Sequence, residues 1–469
     1  MNRYQKLFSN TVILAIGTFG SKLLVFLLMP LYTAWLTTAQ YGAAETVTSV
    51  ANFLIPIACV GVSTGIFRFA ADREADREAV FSGSMALLGL GLGGFLFLSP
   101  LLLLVDYFRE YVWLIVLYVL FADVQAVMAQ YLRATDRTTL FAVQGILNTV
   151  LTVLCNVLFL FCFDLGVTGY VLSVVVGNVL TSLFMLWRAK LWRVFHISKV
   201  SRRIMWEILR FSLPMIPTTV CWLITDLSDR SMVTYFCGES VNGLYSAAYK
   251  IPTIVTLISG IFLQAWQFSA VAESSEEEEC GRFYSRVFDG FLSVIMIGSA
   301  GLILLSRFLT DLLLNSAYFE AWRYMPTLLC AAALEAIVSF LATVYLVRKK
   351  SGHSFVTALV GALSNIILNL LLIPLMGALG AAVATLASYA LVMIVRMIDA
   401  PRMIRFRLCL PRLIVSVLLL FASAAVMTLD IGGRFWWTLG LTVVIAVINA
   451  PSLLAGVKQL LRKRIAEEK

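Results

Sequence analysis

Apolar runs of roughly 18 to 25 residues recur from one end of the chain to the other, and each can cross about 30 Å of hydrocarbon as a helix. Nothing else in the sequence restricts the fold as strongly. In lipid every backbone N–H and C=O must be satisfied internally, so a run bounded by short loops can only be helical. Composition agrees: with 60% hydrophobic and 13% charged residues among 469, there is too little polar side chain to cover a water-soluble surface. Spans are predicted near 8–30, 45–67, 81–105, 111–132, 139–163 and 167–187, then 211–236, 244–272, 287–306, 324–347, 355–375, 379–397, 413–429 and 435–456. The fold class expected is an all-α integral membrane protein of about fourteen helices. The first run has no small-residue cleavage site and contains Lys22, so it reads as a retained helix. The stretch from Leu309 to Trp322 is either a loop or a short helix lying in the interface, which Tyr318, Phe319 and Trp322 would suit.

Basic residues orient these spans. With the N-terminus inside, only Arg109, Arg307, Arg323 and Arg434 fall in outer loops, and Lys22, Arg230 and Lys250 fall within spans. The rest of the 36 Lys and Arg lie on the inner side, as cytoplasmic loops require, which places both termini in the cytoplasm. The net charge of +9 is thereby explained by an anionic leaflet, without nucleic acid. The eight cysteines, most of them in spans, form no CxxC pair, and His196 and His353 lie in basic inner loops. Neither a metal centre nor a disulfide framework is expected, and no cofactor is called for.

The longest inner loop, 188–210, is strongly basic and separates six spans from the remainder. It reads as a linker between an N-terminal lobe (1–187) and a C-terminal lobe (211–397), with two further helices and a basic tail in 398–469. A shift of about 200 residues aligns Gly42–Ala71 with Gly243–Ala272, and a similar shift aligns Gly166 and Gly169 with Gly377 and Gly380. Equivalent helices then share one orientation, so the two six-helix lobes are related by an axis along the membrane normal, around a central cavity. Asn148, Asn156, Asn178, Asn365 and Asn369 suit hydrogen bonds between helices.

Charge within spans is the most informative signal, since a Lys, Arg or Asp at a helix centre costs about 2.5–3.5 kcal/mol on insertion scales. Lys22 and Lys250 have no acidic residue at helical spacing in their own spans, which favours a water-filled cavity lined by cations. Arg230 can do the same, or can pair with Asp226 at i, i+4. Arg68, at the inner end of the second span, is a further candidate. Glu45, Asp123, Asp226, Asp229 and Glu335 are candidate counter-charges or H⁺ or Na⁺ coupling sites, and spacing does not choose between those uses.

Three stretches carry a family resemblance: Gly20–Leu28 (GSKLLVFLL), Ser228–Ser231 (SDRS) followed by Val241–Ile251 (VNGLYSAAYKI), and Asn369–Ala382 (NLLLIPLMGALGAA). Over nearly its whole length the chain resembles polysaccharide transporters of the Wzx type, in the multidrug/oligosaccharidyl-lipid/polysaccharide superfamily. The resemblance implies alternating access, with an undecaprenyl-pyrophosphate-linked oligosaccharide carried across the bacterial inner membrane for cell-surface polysaccharide synthesis. It implies no enzymatic step. Two alternatives lie within the same superfamily. A lipid II flippase is expected to have an arginine after the serine of the first helix and a second cation further on, where this chain has Lys22 and then Leu28 and Met29. A cation-coupled multidrug antiporter is expected to favour an acidic cavity, against which Lys22 argues. A membrane-bound polymerase or ligase would need a large outer loop bearing catalytic groups, and the outer loops here are short and lack histidine.

Overall fold

In the computed structural model the described residues are 28–71, 76–135, 137–213, 216–272, 277–348, 350–429 and 432–467, and side chains are described for most of these. Among them there are helices and no strands. Ten helices are long and apolar enough to span a membrane, and three bent helix pairs bring the number to as many as thirteen. These account for the second to the fourteenth predicted spans. The first lies almost wholly in 1–27, outside the described residues. The protein is a multi-pass membrane protein of all-α class.

Contacts divide the chain into two compact units, Met1–Thr234 and Tyr235–Lys469. The described part of the first opens with α1 (Met29–Trp35) and a bent pair, α2 (Thr38–Ala58) and α3 (Val62–Ala70), which meet at 50°. Then come α4 (Arg77–Leu98), α5 (Val112–Ala134), α6 (Thr138–Asn156), α7 (Gly166–Arg188), α8 (Arg202–Ser212) and α9 (Ile216–Cys237). Thr37 and Gln40 start α2 with a reciprocal capping box, and Asp76 caps α4 by accepting from the Glu78 and Ala79 amides. The α2–α3 bend has a specific cause: Val60 and Gly61 both adopt left-handed backbone, with φ of 50° and 68°. Glycine takes that conformation freely, whereas a β-branched residue does so only under strain.

The basic segment 188–210 is ordered and falls within the first unit. Its helix α8 is strongly amphipathic, burying Ile208 and Ser212 while Trp206 and the arginines face outward. An amphipathic face of this kind suits the border between lipid and water. It packs on α3 and α4, and Gly65 allows the close approach, since a Cβ there would run into Ser212 and Ile208.

The second unit holds another bent pair, α10 (Glu239–Lys250) and α11 (Thr253–Ala272), at 42°. It continues with α12 (Glu277–Leu313), α13 (Met325–Val347), α14 (Ser351–Met376), α15 (Ala378–Met403), α16 (Leu410–Thr428) and α17 (Arg434–Glu467). Helix α13 is its core, contacting α11, α12, α15 and α16. Lipid supplies no hydrophobic drive between helices, so close packing of small residues replaces it. Ala331, Ala332, Ala333 and Ala336 on α13, and Ala378, Ala381, Ala382 and Ala384 on α15, are all buried. The α14–α15 hairpin turns at Gly377, whose φ of 62° and ψ of −145° suit glycine almost alone. A short 3₁₀ helix spans Ser316–Arg323, but Tyr318 and Trp322 are buried in protein, not held at the lipid surface as expected. Of the asparagine bonds expected between helices, Asn148 donates to Asn178 (3.1 Å), Asn156 to Tyr32 Oη (2.9 Å) and Asn365 to Thr385 (3.3 Å), whereas Asn369 donates to Asn365 on its own helix (3.0 Å).

Candidate functional site

Within the first unit, α2 brings Glu45 against Arg230 of α9, and the two form a buried ion pair. Arg230 also holds Asp226, one turn back on its own helix, through Nη2 at 3.3 Å. The spacing anticipated the Asp226 contact. It gave no sign of Glu45, which is distant in sequence. One guanidinium thus meets two carboxylates, and Arg230 is not a bare cation. Glu45 is 2% exposed, and its Oε1 accepts from the Tyr170 hydroxyl at 2.8 Å. Ser49 donates to Asp226 at 3.2 Å, and the Thr46 and Thr234 hydroxyls lie 3.1 Å apart. A T-shaped pair of Tyr32 and Tyr170 rings, with centroids 5.0 Å apart, walls the pair on the α7 side. Desolvating these charges is costly and is offset only because nearly every oxygen has a partner.

The network is closed on one side and open on the other. The Asp226 side chain is 38% exposed, against 10% for Arg230 and 3% for Glu45. A further buried carboxylate belongs to the same unit. Asp123 of α5 is fully buried beside the Cys59 thiol, where α2 ends and the chain bends. Among the described residues neither Asp123 oxygen accepts a hydrogen bond.

The other sequence candidates fall in separate places. Lys22 lies outside the described residues. Arg68 is exposed on α3, and Asp229 is buried on α9 beside Arg230 in sequence. In the second unit Lys250 is half-buried at the last position of α10, and its carbonyl accepts from the Thr253 hydroxyl. Glu335 is half-buried on α13.

Sequence reasoning missed Arg396. Ending the twelfth span at 397 left it among the inner-side basic residues, but α15 continues to Met403 and Arg396 is 1% exposed. Its Nε and Nη2 donate to Thr357 Oγ1 at 3.0 and 2.8 Å, its Nη1 donates to the Val338 carbonyl at 2.8 Å, and its guanidinium lies 5.6 Å from the centre of the Tyr345 ring. An arginine inside an apolar run was the available signal, hidden by a boundary drawn too early.

A family model described as polysaccharide biosynthesis protein matches residues 7–267. No curated protein matches the chain. Among solved structures, the lipid II flippase MurJ in an inward closed conformation superposes with a TM-score of 0.70 at 14% identity, over 96% of this chain and 100% of that one. An inward-facing multidrug resistance MATE family transporter of the MOP superfamily gives 0.67 at 16% identity, over 83% and 98%. A MOP superfamily transporter from Pyrococcus furiosus, whose structure is described as having a binding pocket of reversed polarity, gives 0.61 at 16% identity, over 85% and 96%. With more than half its length matched by that model, the chain belongs to the polysaccharide biosynthesis protein family, and it has the fold of MOP superfamily transporters.

Proposed function

We propose that this protein is a flippase that moves an undecaprenyl-pyrophosphate-linked oligosaccharide across the bacterial inner membrane by alternating access. The observation that carries the reading is the buried Glu45–Arg230–Asp226 network in a membrane-embedded member of a polysaccharide biosynthesis family. A pyrophosphate and its sugars cannot cross about 30 Å of hydrocarbon unaided, so they need cations in a polar passage. Arg230 can give up the half-exposed Asp226 for a phosphate oxygen while keeping Glu45, so the guanidinium is never left bare. Lys22, Lys250 and Arg68 are the further cations proposed for the headgroup. Asp123, buried at a helix break beside the Cys59 thiol, is the carboxylate proposed for H⁺ or Na⁺ coupling. Asp229 and Glu335 are proposed as counter-charges. No covalent step is involved.

The test is glycan export in cells, measured beside membrane abundance. A Lys22→Glu, Lys250→Glu double variant is expected to lose export at normal abundance, and Lys22→Arg to retain it, because phosphate needs the charge more than the particular side chain. Full export by the double variant would remove the electrostatic basis of the proposal.

A further inference from the structure

A pocket in the second unit, remote in sequence from Arg230, is lined by Arg282 and Arg286 of α12 and by Arg405 and Arg407 of the extended segment that follows α15. Its volume is about 950 Å³, and among the described residues no carboxylate lines it. The carboxylate further along α12, Asp289, is already held by Arg412 at 2.7 Å. Among the described residues none of the four lining arginines has a carboxylate partner.

The pocket is built, not a chance cluster of surface charge. In extended backbone successive side chains point to opposite sides. Phe406 accordingly turns inward, 5% exposed and 5.8 Å from the Tyr284 ring, while Arg405 and Arg407 turn outward. The Arg407 amide donates to Ser285 Oγ at 2.8 Å, and Arg348 Nε donates to the Met403 carbonyl at 2.9 Å, so the segment is fixed from two helices. Gly281 completes the fit, because any Cβ there would overlap the Arg405 carbonyl.

Its place on the spans restricts the occupant. Helix α15 ends at Met403 and α16 begins at Leu410, so Arg405 and Arg407 stand on the segment that joins the ends of two apolar spans, with Arg282 and Arg286 near the start of α12. Leu410, Ile414, Val415 and Leu418 then run along α16 as exposed apolar side chains. A molecule filling both features has a phosphate at one end and acyl chains at the other. Guanidinium suits it better than ammonium, since it grips phosphate oxygens in pairs and is more weakly hydrated. We propose that this pocket binds the phosphodiester headgroup of an anionic membrane phospholipid. The proposal is independent of the flippase reading.

The experiment uses the full-length protein in detergent, with phosphatidylglycerol and phosphatidylcholine as probes and retained lipid counted by native mass spectrometry. An Arg282→Gln, Arg286→Gln, Arg405→Gln, Arg407→Gln variant is expected to retain phosphatidylglycerol at least tenfold less well. An Arg109→Gln, Arg323→Gln variant, which removes exposed arginines that are each already paired with a carboxylate, should match the parent. Phosphatidylcholine retention should not respond to either set. If the quadruple variant does not fold, the Arg405→Gln, Arg407→Gln pair on the exposed segment serves in its place. Equal losses from both sets, or equal retention of the two lipids by the parent, would overturn the proposal. So would displacement of phosphatidylglycerol by millimolar inorganic phosphate, which would make the site one for a soluble anion, or by a short-chain polyprenyl pyrophosphate alone, which would assign it to the cargo.

Discussion

The two units each contain a bent span at the position that the 200-residue shift aligns, yet they bend by different means and at different depths. In the first, α2 runs 21 residues before the left-handed Val60 and Gly61. In the second, α10 runs only 12 residues before Pro252 interrupts the ladder, about two and a half helical turns earlier. The first break has a buried acid beside it, Asp123, and the second follows directly on a base, Lys250. Their anchors differ as well. Glu45 on α2 holds Arg230 through charge, while the aligned Ser246 on α10 donates to Asn242 on its own helix at 3.4 Å. The two bent spans thus differ in both their hinges and their electrostatics.

The anchors give the largest expected effect. Glu45→Ala leaves Arg230 buried without its most enclosed partner, and breaking a buried pair from one side costs about 3–5 kcal/mol. Ser246→Ala removes a single neutral hydrogen bond, worth about 1 kcal/mol or less. Thermal unfolding in detergent should therefore separate the two variants clearly. Similar losses would mean that the anchors are equivalent and the comparison is empty.

The hinges come next. Gly61→Ala forces a side chain into left-handed backbone, at about 1–2 kcal/mol, and sets its Cβ 3.0 Å from Ser212 Cβ and 3.2 Å from Ile216 Cγ1. The bend should persist while stability falls. Pro252→Ala acts in the opposite sense, restoring an amide donor and removing a ring clash, so α10 and α11 should straighten at little cost in stability. Spin labels at Ser240 and Ile258 would report the change as a longer distance. An unchanged distance would show that packing, not proline, sets the 42° angle.

These differences also mark what the chain discloses before it is folded. Span number and type follow from apolar runs, because lipid permits no other backbone solution, and nearly every predicted span outside 1–27 has its helix. The Arg230–Asp226 contact follows from helical spacing alone. Glu45 could not be joined to Arg230, nor Tyr170 to Glu45, because those contacts depend on which faces of α2, α7 and α9 meet, and periodicity on each helix does not fix that. The Val60–Gly61 break was equally hidden. An apolar run reads as one span whether or not two residues in it are left-handed. Arg396 failed for another reason, since helix ends drift by a turn or more when basic residues invite an early boundary.

The smallest effect concerns the turn that closes the first bent span. Asp76 caps α4 through the Glu78 and Ala79 amides, at 3.1 and 3.2 Å, and Lys199 reaches its other oxygen at 3.2 Å. The Ala79 amide and then Lys199 hold the Asp76 carboxyl below the ordinary carboxylate range, while Glu78 and Asp76 together push the Lys199 ammonium up. A lowered carboxyl favours the folded state at any pH above its unfolded value, near 3.9, and that contribution is lost as pH falls through the lower folded value. Both partners are substantially exposed, so salt and water screen the pair, and the cap supplies most of what remains, about 0.5–1 kcal/mol. Asp76→Ala should accordingly melt slightly below the parent at pH 7. The gap should shrink at acid pH and change little in high salt, because the amide bonds outlast the screened lysine. A gap that widened on acidification would reverse the sign and show that the protonated carboxyl, not the carboxylate, is the form the first unit holds.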